Sequence, residues 1–142
     1  MRHELEADDF AAPFTSEADF KRRFCRMLRR KDGSPPDVFC VETEETEPGF
    51  PDVLVVWGGS HVELYELKVT DGRGRFIMQP TQPRFYAAHP RLNIKVAVGD
   101  RRDKARGRVW VIDAADVAAR AKEVAGLTYN LEDFVCGKDS VL

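Results

Sequence analysis

The sequence predicts an α/β fold in which a central mixed β-sheet is flanked by α-helices. Segments with helical spacing of apolar residues alternate along the chain with short apolar or alternating segments typical of strands. Their order is α-β-β-β-α-β-β-α. The length of 142 residues suits one domain, expected to span 1–142 with its core over about 16–125. The first dozen and last half dozen residues are expected to fray.

Three segments are predicted to be helices. The first begins after Ser16, a good N-cap residue, and its apolar residues are spaced i, i+4, i+7, i+8 from Phe20. The second is expected from Pro83 to His89, because proline suits the first helical position. The third is expected from Asp113 to about Ala125, ending at Gly126.

Five segments are predicted to be strands, and two of them form a hairpin. The apolar run 52–57 and the alternating run 61–69 are joined by Gly58-Gly59-Ser60, a turn that closes hairpins. Strand alternation puts Glu66 and Lys68 on one face. Folding the hairpin brings Asp52 towards both of them. The remaining strands are expected over 38–41, 93–98 and 108–112.

Two carboxylates and one ammonium group therefore converge at the open end of the hairpin. Burying carboxylates is costly unless they are paired or bind a metal, and Mg²⁺ favours oxygen ligands while keeping waters and a substrate phosphate. A metal-bound water can attack phosphorus, and Lys68 can stabilise the resulting charge or orient the water. The alternative interpretation is a surface salt bridge on a solvated strand face.

These residues resemble a known signature. Gly49-Phe50-Pro51-Asp52, followed after thirteen residues by Glu66-Leu67-Lys68, resembles the motif of the PD-(D/E)xK nuclease superfamily. The chain is most similar to small members: virus-type replication and repair nucleases (VRR-NUC), archaeal-type Holliday junction resolvases and phage endonucleases. The resemblance runs from about Ser16 to about Val111.

The resemblance implies a restriction-endonuclease-like fold and Mg²⁺-dependent hydrolysis of DNA, with Mn²⁺ expected to substitute. Asp52, Glu66 and the Leu67 carbonyl would be the metal ligands, and Lys68 the catalytic cation. Relatives that cut branched DNA work as homodimers, because two cuts need two sites.

Two further residues match supporting positions of the family. Glu17 matches a glutamate on the first helix that faces the active site; it can equally be a first-turn acid favoured by the helix dipole. Gln82 matches a glutamine at the start of the helix after the Glu-x-Lys strand, within reach of the metal or the scissile phosphate. Its alternative interpretation is a polar residue at a helix start.

Charge is strongly segregated although the net charge is only −2. Seven basic residues and no acidic one lie in 21–31, and ten basic residues against two acidic ones lie in 73–108; residues 37–52 hold six acidic residues and no basic one. Basic stretches flanking a carboxylate site suit a phosphate backbone, whereas the alternative is a solvated face. The candidates for DNA contacts are Arg73, Arg75, Arg84, Lys21 and Arg22.

The remaining observations concern the cellular setting. We expect no signal peptide, no membrane span and a cytoplasmic location, the host cytoplasm if the protein is phage-encoded. Cys25, Cys40 and Cys136 are expected to be reduced, buried thiols, and the histidines do not form a zinc-ligand pattern.

Three functions stay open: a structure-specific DNA endonuclease in recombination, repair or phage DNA processing; an exonuclease or restriction-like nuclease on linear DNA; and a non-catalytic binding module with the nuclease fold. The intact Asp52, Glu66 and Lys68 count against the third.

Overall fold

The computed structural model describes residues 1–41, 48–124 and 127–137. Within these residues the helices are α1 (Glu17–Arg29), α2 (Thr81–Ala88) and α3 (Ala114–Arg120). The strands are β1 (Arg2–Leu5), β2 (Asp37–Cys40), β3 (Val53–Trp57), β4 (His61–Val69), β5 (Arg75–Ile77), β6 (Ile94–Asp100), β7 (Arg108–Asp113) and β8 (Thr128–Asn130).

Six of the strands form a mixed sheet in the order β1-β7-β6-β4-β3-β2. Strands β4 and β6 are parallel, and the other neighbouring pairs are antiparallel. Strands β5 and β8 form a separate antiparallel ribbon. The predicted α/β class with a mixed central sheet flanked by helices is therefore confirmed.

The sheet separates two apolar cores. On one face α1 packs against the sheet, where the rings of Phe24 and Tyr65 have centroids 5.2 Å apart. The other core joins Leu64 to residues of α2, α3 and β5, including Phe85 and Val117. Because Leu64 and Tyr65 belong to opposite cores, strand alternation places Glu66 on the face of Leu64.

The structure confirms the predicted start of α1 and the predicted hairpin. The Ser16 hydroxyl accepts a hydrogen bond from the Asp19 amide at 3.0 Å, as an N-cap should. Strands β3 and β4 are antiparallel neighbours joined through Gly58 and Gly59, whose φ angles are 55° and 81°. Two successive positive φ angles match a tight hairpin turn, and glycine adopts them without steric cost.

The bounds of two predicted helices were wrong. Helix α2 covers Thr81–Ala88 rather than Pro83–His89, so Pro83 lies inside the first turn, where its missing N–H needs no partner. Helix α3 ends at Arg120 rather than near Ala125, because the Glu123 amide turns back to the Arg120 carbonyl at 2.9 Å. Residues 125–126, including the predicted terminator Gly126, lie outside the described residues.

The first dozen residues, for which fraying is expected, include a strand of the main sheet. Strand β1 pairs with β7, and the guanidinium of Arg2 lies 4.1 Å from the centre of the Trp110 ring. Arg2 also donates through Nε to the Phe134 carbonyl at 3.1 Å. These contacts hold the N-terminal segment on the sheet edge. Residues 138–142, and the acidic stretch 42–47, lie outside the described residues.

Only one of the three cysteines is buried as predicted. Cys25 lies on the buried face of α1, whereas Cys40 and Cys136 are exposed. Cys40 is exposed because it ends β2, which is an edge strand of the sheet. Across the described ranges, no helix combines the length and apolar character needed to cross a membrane.

Candidate active site

The β3–β4 hairpin positions Asp52 opposite Glu66. Val53, the first residue of β3, pairs with Tyr65, so Asp52 stands one step further along, level with Glu66. The Val41 amide donates to the Asp52 carbonyl at 2.8 Å, which holds the backbone in line with β2. The Leu67 amide donates to Asp52 Oδ2 at 3.1 Å. The Asp52 carboxylate, at the start of β3, is therefore directed towards the neighbouring strand β4.

Glu66 is the most perturbed acid of this site. It is 2% exposed, and its Oε2 lies 3.9 Å from the Lys68 ammonium. Burial, followed by the hydrogen bonding and the charge of the neighbouring Asp52, raises the pKa of Glu66 to about 9, although the Lys68 ammonium acts in the opposite direction. Two carboxylates are thus forced together in a site that disfavours their combined charge, a condition that a cation relieves.

Lys68 and Glu17 connect this pair to an open cleft. The cleft has a volume of about 710 Å³, and both side chains line it. Glu17 is the first residue of α1, and its side chain is exposed. Its charge contributes to the raised pKa of Glu66. Asp52, Lys68 and Glu17 are therefore all close enough to Glu66 for their charges to change its pKa.

Gln82 lies in the first turn of α2, at the start of the helix that follows the Glu-x-Lys strand. Its side chain is buried, and its Oε1 accepts a hydrogen bond from the Gln79 amide at 2.8 Å. Of the two glutamines, Gln79 lines the cleft. In this structure the Gln82 side chain therefore supports the backbone turn that carries Gln79 into the cleft.

The five basic candidates are spread over several surfaces. Arg75 lines the cleft, and its Nε donates to Asp71 at 2.8 Å. Arg73 is exposed in the same β4–β5 connection, and Arg84 is exposed on α2. Arg22 pairs with an aspartate of its own helix and lines a separate groove, and Lys21 is half-buried. Arg75 is therefore the candidate placed at the cleft itself.

Arg101 lines the cleft as well, although it was not singled out from the sequence. Its amide donates to the Thr70 hydroxyl at 2.9 Å. Both residues follow parallel strands, β4 and β6, whose carboxyl ends meet at one edge of the sheet, where ligands of α/β proteins commonly bind. The position of Arg101 directly after a strand is visible in the sequence. Placing it at the cleft, however, requires knowing that β4 and β6 are parallel.

Several basic side chains of the run 21–31 make contacts within the protein that stabilise the fold. Arg23 is buried; it lies 4.5 Å from the centre of the Phe14 ring and donates to the Asp9 carbonyl at 2.8 Å. Arg26 and Arg30 both pair with the Asp9 carboxylate. These side chains anchor the segment before α1, so the run is less available to a ligand than its sequence suggests.

The donor set fits a hard divalent cation. No group of three or more His, Cys, Asp or Glu residues suited to a metal occurs in the part of the chain that the structure describes. Mg²⁺, however, commonly uses one or two carboxylates and completes its shell with waters and phosphate. Because the N–H and C=O of one strand residue point to the same neighbouring strand, the Leu67 carbonyl points with its amide towards Asp52. Glu66 Oε1, which lacks a hydrogen-bond partner among the described residues, is a further oxygen of this kind.

Comparison with known proteins adds no assignment: no family model matches the chain, and no curated protein matches it. The resemblance to the PD-(D/E)xK nucleases accordingly depends on the residues of this chain alone.

Proposed function

We propose that this protein is a Mg²⁺-dependent DNA endonuclease of the PD-(D/E)xK type, with a restriction-endonuclease-like fold. The observation that carries the proposal is the pairing of half-buried Asp52 with buried Glu66, with Lys68 beside them at the edge of an open cleft. A surface salt bridge does not account for this arrangement, because Glu66 is almost fully buried and the second carboxylate opposes its ionisation.

Each residue has a role in phosphodiester hydrolysis. Asp52 and Glu66 would hold the cation together with the Leu67 carbonyl. When bound, the cation supplies an acidified water and neutralises charge on the phosphate. The Lys68 ammonium would stabilise the additional negative charge at phosphorus or orient the attacking water, since its position between Glu66 and the cleft lets it face both. Glu17, which also lines the cleft, would accept a hydrogen bond from that water.

The cleft favours a nucleic acid as substrate. Arg75 and Arg101 line it together with Lys68, and such cations bind a phosphate backbone by releasing counterions. By the family resemblance, we propose branched DNA as the preferred substrate and a homodimer as the active form, since paired cuts need two sites. Mn²⁺ should replace Mg²⁺.

A substrate panel tests the proposal. The wild type and Asp52→Asn are incubated with end-labelled four-way junction, flap, linear duplex and single-stranded DNA, each with Mg²⁺ or EDTA. We expect cleavage of junction or flap with Mg²⁺, none with EDTA, and none by the variant.

The other outcomes separate the alternatives. Release of nucleotides from linear ends alone would favour an exonuclease, and internal cuts confined to linear duplex would favour a restriction-like enzyme. Binding without cleavage of any substrate would overturn the enzyme proposal in favour of a binding module.

A further inference from the structure

Two of the three cysteines lie where α1 meets the edge strand β2. Cys25 lies on the buried face of α1 and is 3% exposed, whereas Cys40 ends β2 and is exposed. Cys40 pairs across the sheet with Val53, which belongs to the same core as Cys25. Because residues directly opposite each other in a sheet project to the same face, the Cys40 side chain projects to the face that α1 covers.

The register of α1 against β2 places these two cysteines at the same level. The Arg29 guanidinium donates to the Val38 carbonyl at 3.2 Å, which fixes one point of contact between helix and strand. The two elements run in opposite directions, because only residues 30–36 join them. Cys25 lies roughly 6 Å before Arg29 along the helix. Cys40 lies roughly 6.6 Å after Val38 along the strand. These two steps are nearly equal and point the same way, so the cysteines lie side by side.

The acidity of the Cys25 thiol agrees with this placement. Burial, followed by the charge and the hydrogen bonding of Cys40, raises the pKa of Cys25 to about 11, although two nearby basic side chains act in the opposite direction. The two thiols are therefore within hydrogen-bonding reach of each other. Cys136 instead pairs with Arg2 of β1, at the opposite edge of the sheet, which makes it a remote control thiol.

We propose that Cys25 and Cys40 are a redox-active dithiol, which a low-molecular-weight disulfide such as oxidised glutathione converts into an internal disulfide. The Cys40 thiolate attacks one sulfur of the glutathione disulfide, releases one glutathione thiolate and leaves a mixed disulfide on Cys40. Cys25 loses its proton to solvent, attacks the Cys40 sulfur and expels the second glutathione thiolate. Two protein thiols are thereby oxidised, and one glutathione disulfide is reduced to two thiols, which take up the two protons. The inference does not depend on the proposed function.

The different roles of the two cysteines follow from their exposure. Exchange with an external disulfide requires an accessible thiolate, which Cys40 can supply and the buried, less acidic Cys25 cannot. Cys25 can reach only the sulfur beside it, which suits the second step. Strand β2 is bonded to β3 alone, so it can shift towards α1 as the sulfurs approach bonding distance more easily than a central strand could.

The test incubates the reduced protein with oxidised glutathione, counts the remaining thiols by alkylation in denaturant and measures the intact mass. For the wild type we expect a monomer that has lost two of its three thiols to one internal disulfide, with dithiothreitol restoring all three. Cys136→Ser should form the same bond and is the matched control. Cys25→Ala should stop at the mixed disulfide on Cys40, and Cys40→Ser should form no internal bond.

Cys136→Ser also tests whether the fold brings the thiols together, because only the proposed pair remains. The equilibrium constant for closing the disulfide should be about tenfold or more higher in the folded variant than in urea. Equal constants in the two conditions would overturn the proposal. A wild type that retains glutathione on Cys40 with Cys25 still free would overturn it as well, and so would a disulfide that involves Cys136 or joins two chains.

Discussion

Replacing Glu66 with glutamine should stabilise the protein, and the gain should increase with pH. Burial, and then the neighbouring Asp52, raises the pKa of Glu66 from 4.5 to about 9. Above the lower value the unfolded chain releases this proton, whereas the folded protein keeps it until the higher value is reached. The unfolded state thus binds fewer protons in this window, so stability falls as pH rises through it.

The magnitude follows from the linkage relation. One pKa unit corresponds to about 1.4 kcal/mol, so between about pH 5 and about pH 8 this residue can remove up to about 4 kcal/mol from the free energy of unfolding. Glutamine cannot ionise, and its amide can still donate to Asp52 as the protonated carboxyl does. The difference between variant and wild type isolates Glu66, since the other titrating groups are common to both.

Urea unfolding without metal, at about pH 5 and about pH 8, measures this difference. We expect Glu66→Gln to gain stability over the wild type and to gain more at the higher pH. Glu63→Gln is the matched control: Glu63 is buried on the opposite face of β4 but pairs with Lys95 at 3.1 Å and bonds Trp57, so its replacement should destabilise. A difference for Glu66→Gln that stays constant or shrinks as pH rises would refute the reasoning.

Two further substitutions test how the surrounding fold is held. Asp100 is 2% exposed and accepts three hydrogen bonds from the Arg102 side chain. Asp100→Asn should therefore lower the free energy of unfolding by about 3 kcal/mol. A loss below about 1 kcal/mol in urea unfolding would count against this pairing. Gly49 has a φ of 91°, and a Cβ there would overlap the Thr81 carbonyl at the start of α2, whereas Gly59 has a φ of 81° with open space around it. Gly49→Ala should therefore destabilise by at least about 1 kcal/mol more than Gly59→Ala, and equal thermal midpoints would speak against a close approach at Gly49.

The centre of the candidate site could be predicted because its determinants are local. The turn at Gly58 and Gly59 fixes the hairpin register, and strand alternation then puts Glu66 and Lys68 on one face. Asp52 follows from the same register, since it stands one residue before β3. None of these steps needs a contact outside the segment from 49 to 69.

The features that were missed depend on distant pairing or on a helix boundary. Strand β1 is polar by sequence, and it is recognisable only through β7, more than a hundred residues away. Arg101 reaches the cleft through the parallel pairing of β4 and β6, which the sequence does not specify. Gln79 lines the cleft from the residues just before α2, and the start of α2 at Thr81 was not fixed by the local pattern.

The most direct test of the account compares Mg²⁺-dependent DNA cleavage by Lys68→Ala and Lys95→Ala with cleavage by the wild type. Both lysines are partly buried on neighbouring strands and contact a glutamate, but only Lys68 lines the cleft beside Glu66. The account predicts that Lys68→Ala lowers the cleavage rate by about 10²-fold or more while remaining folded, and that Lys95→Ala stays within about threefold of the wild type. Equal cleavage by Lys68→Ala and the wild type would contradict the assignment of this site.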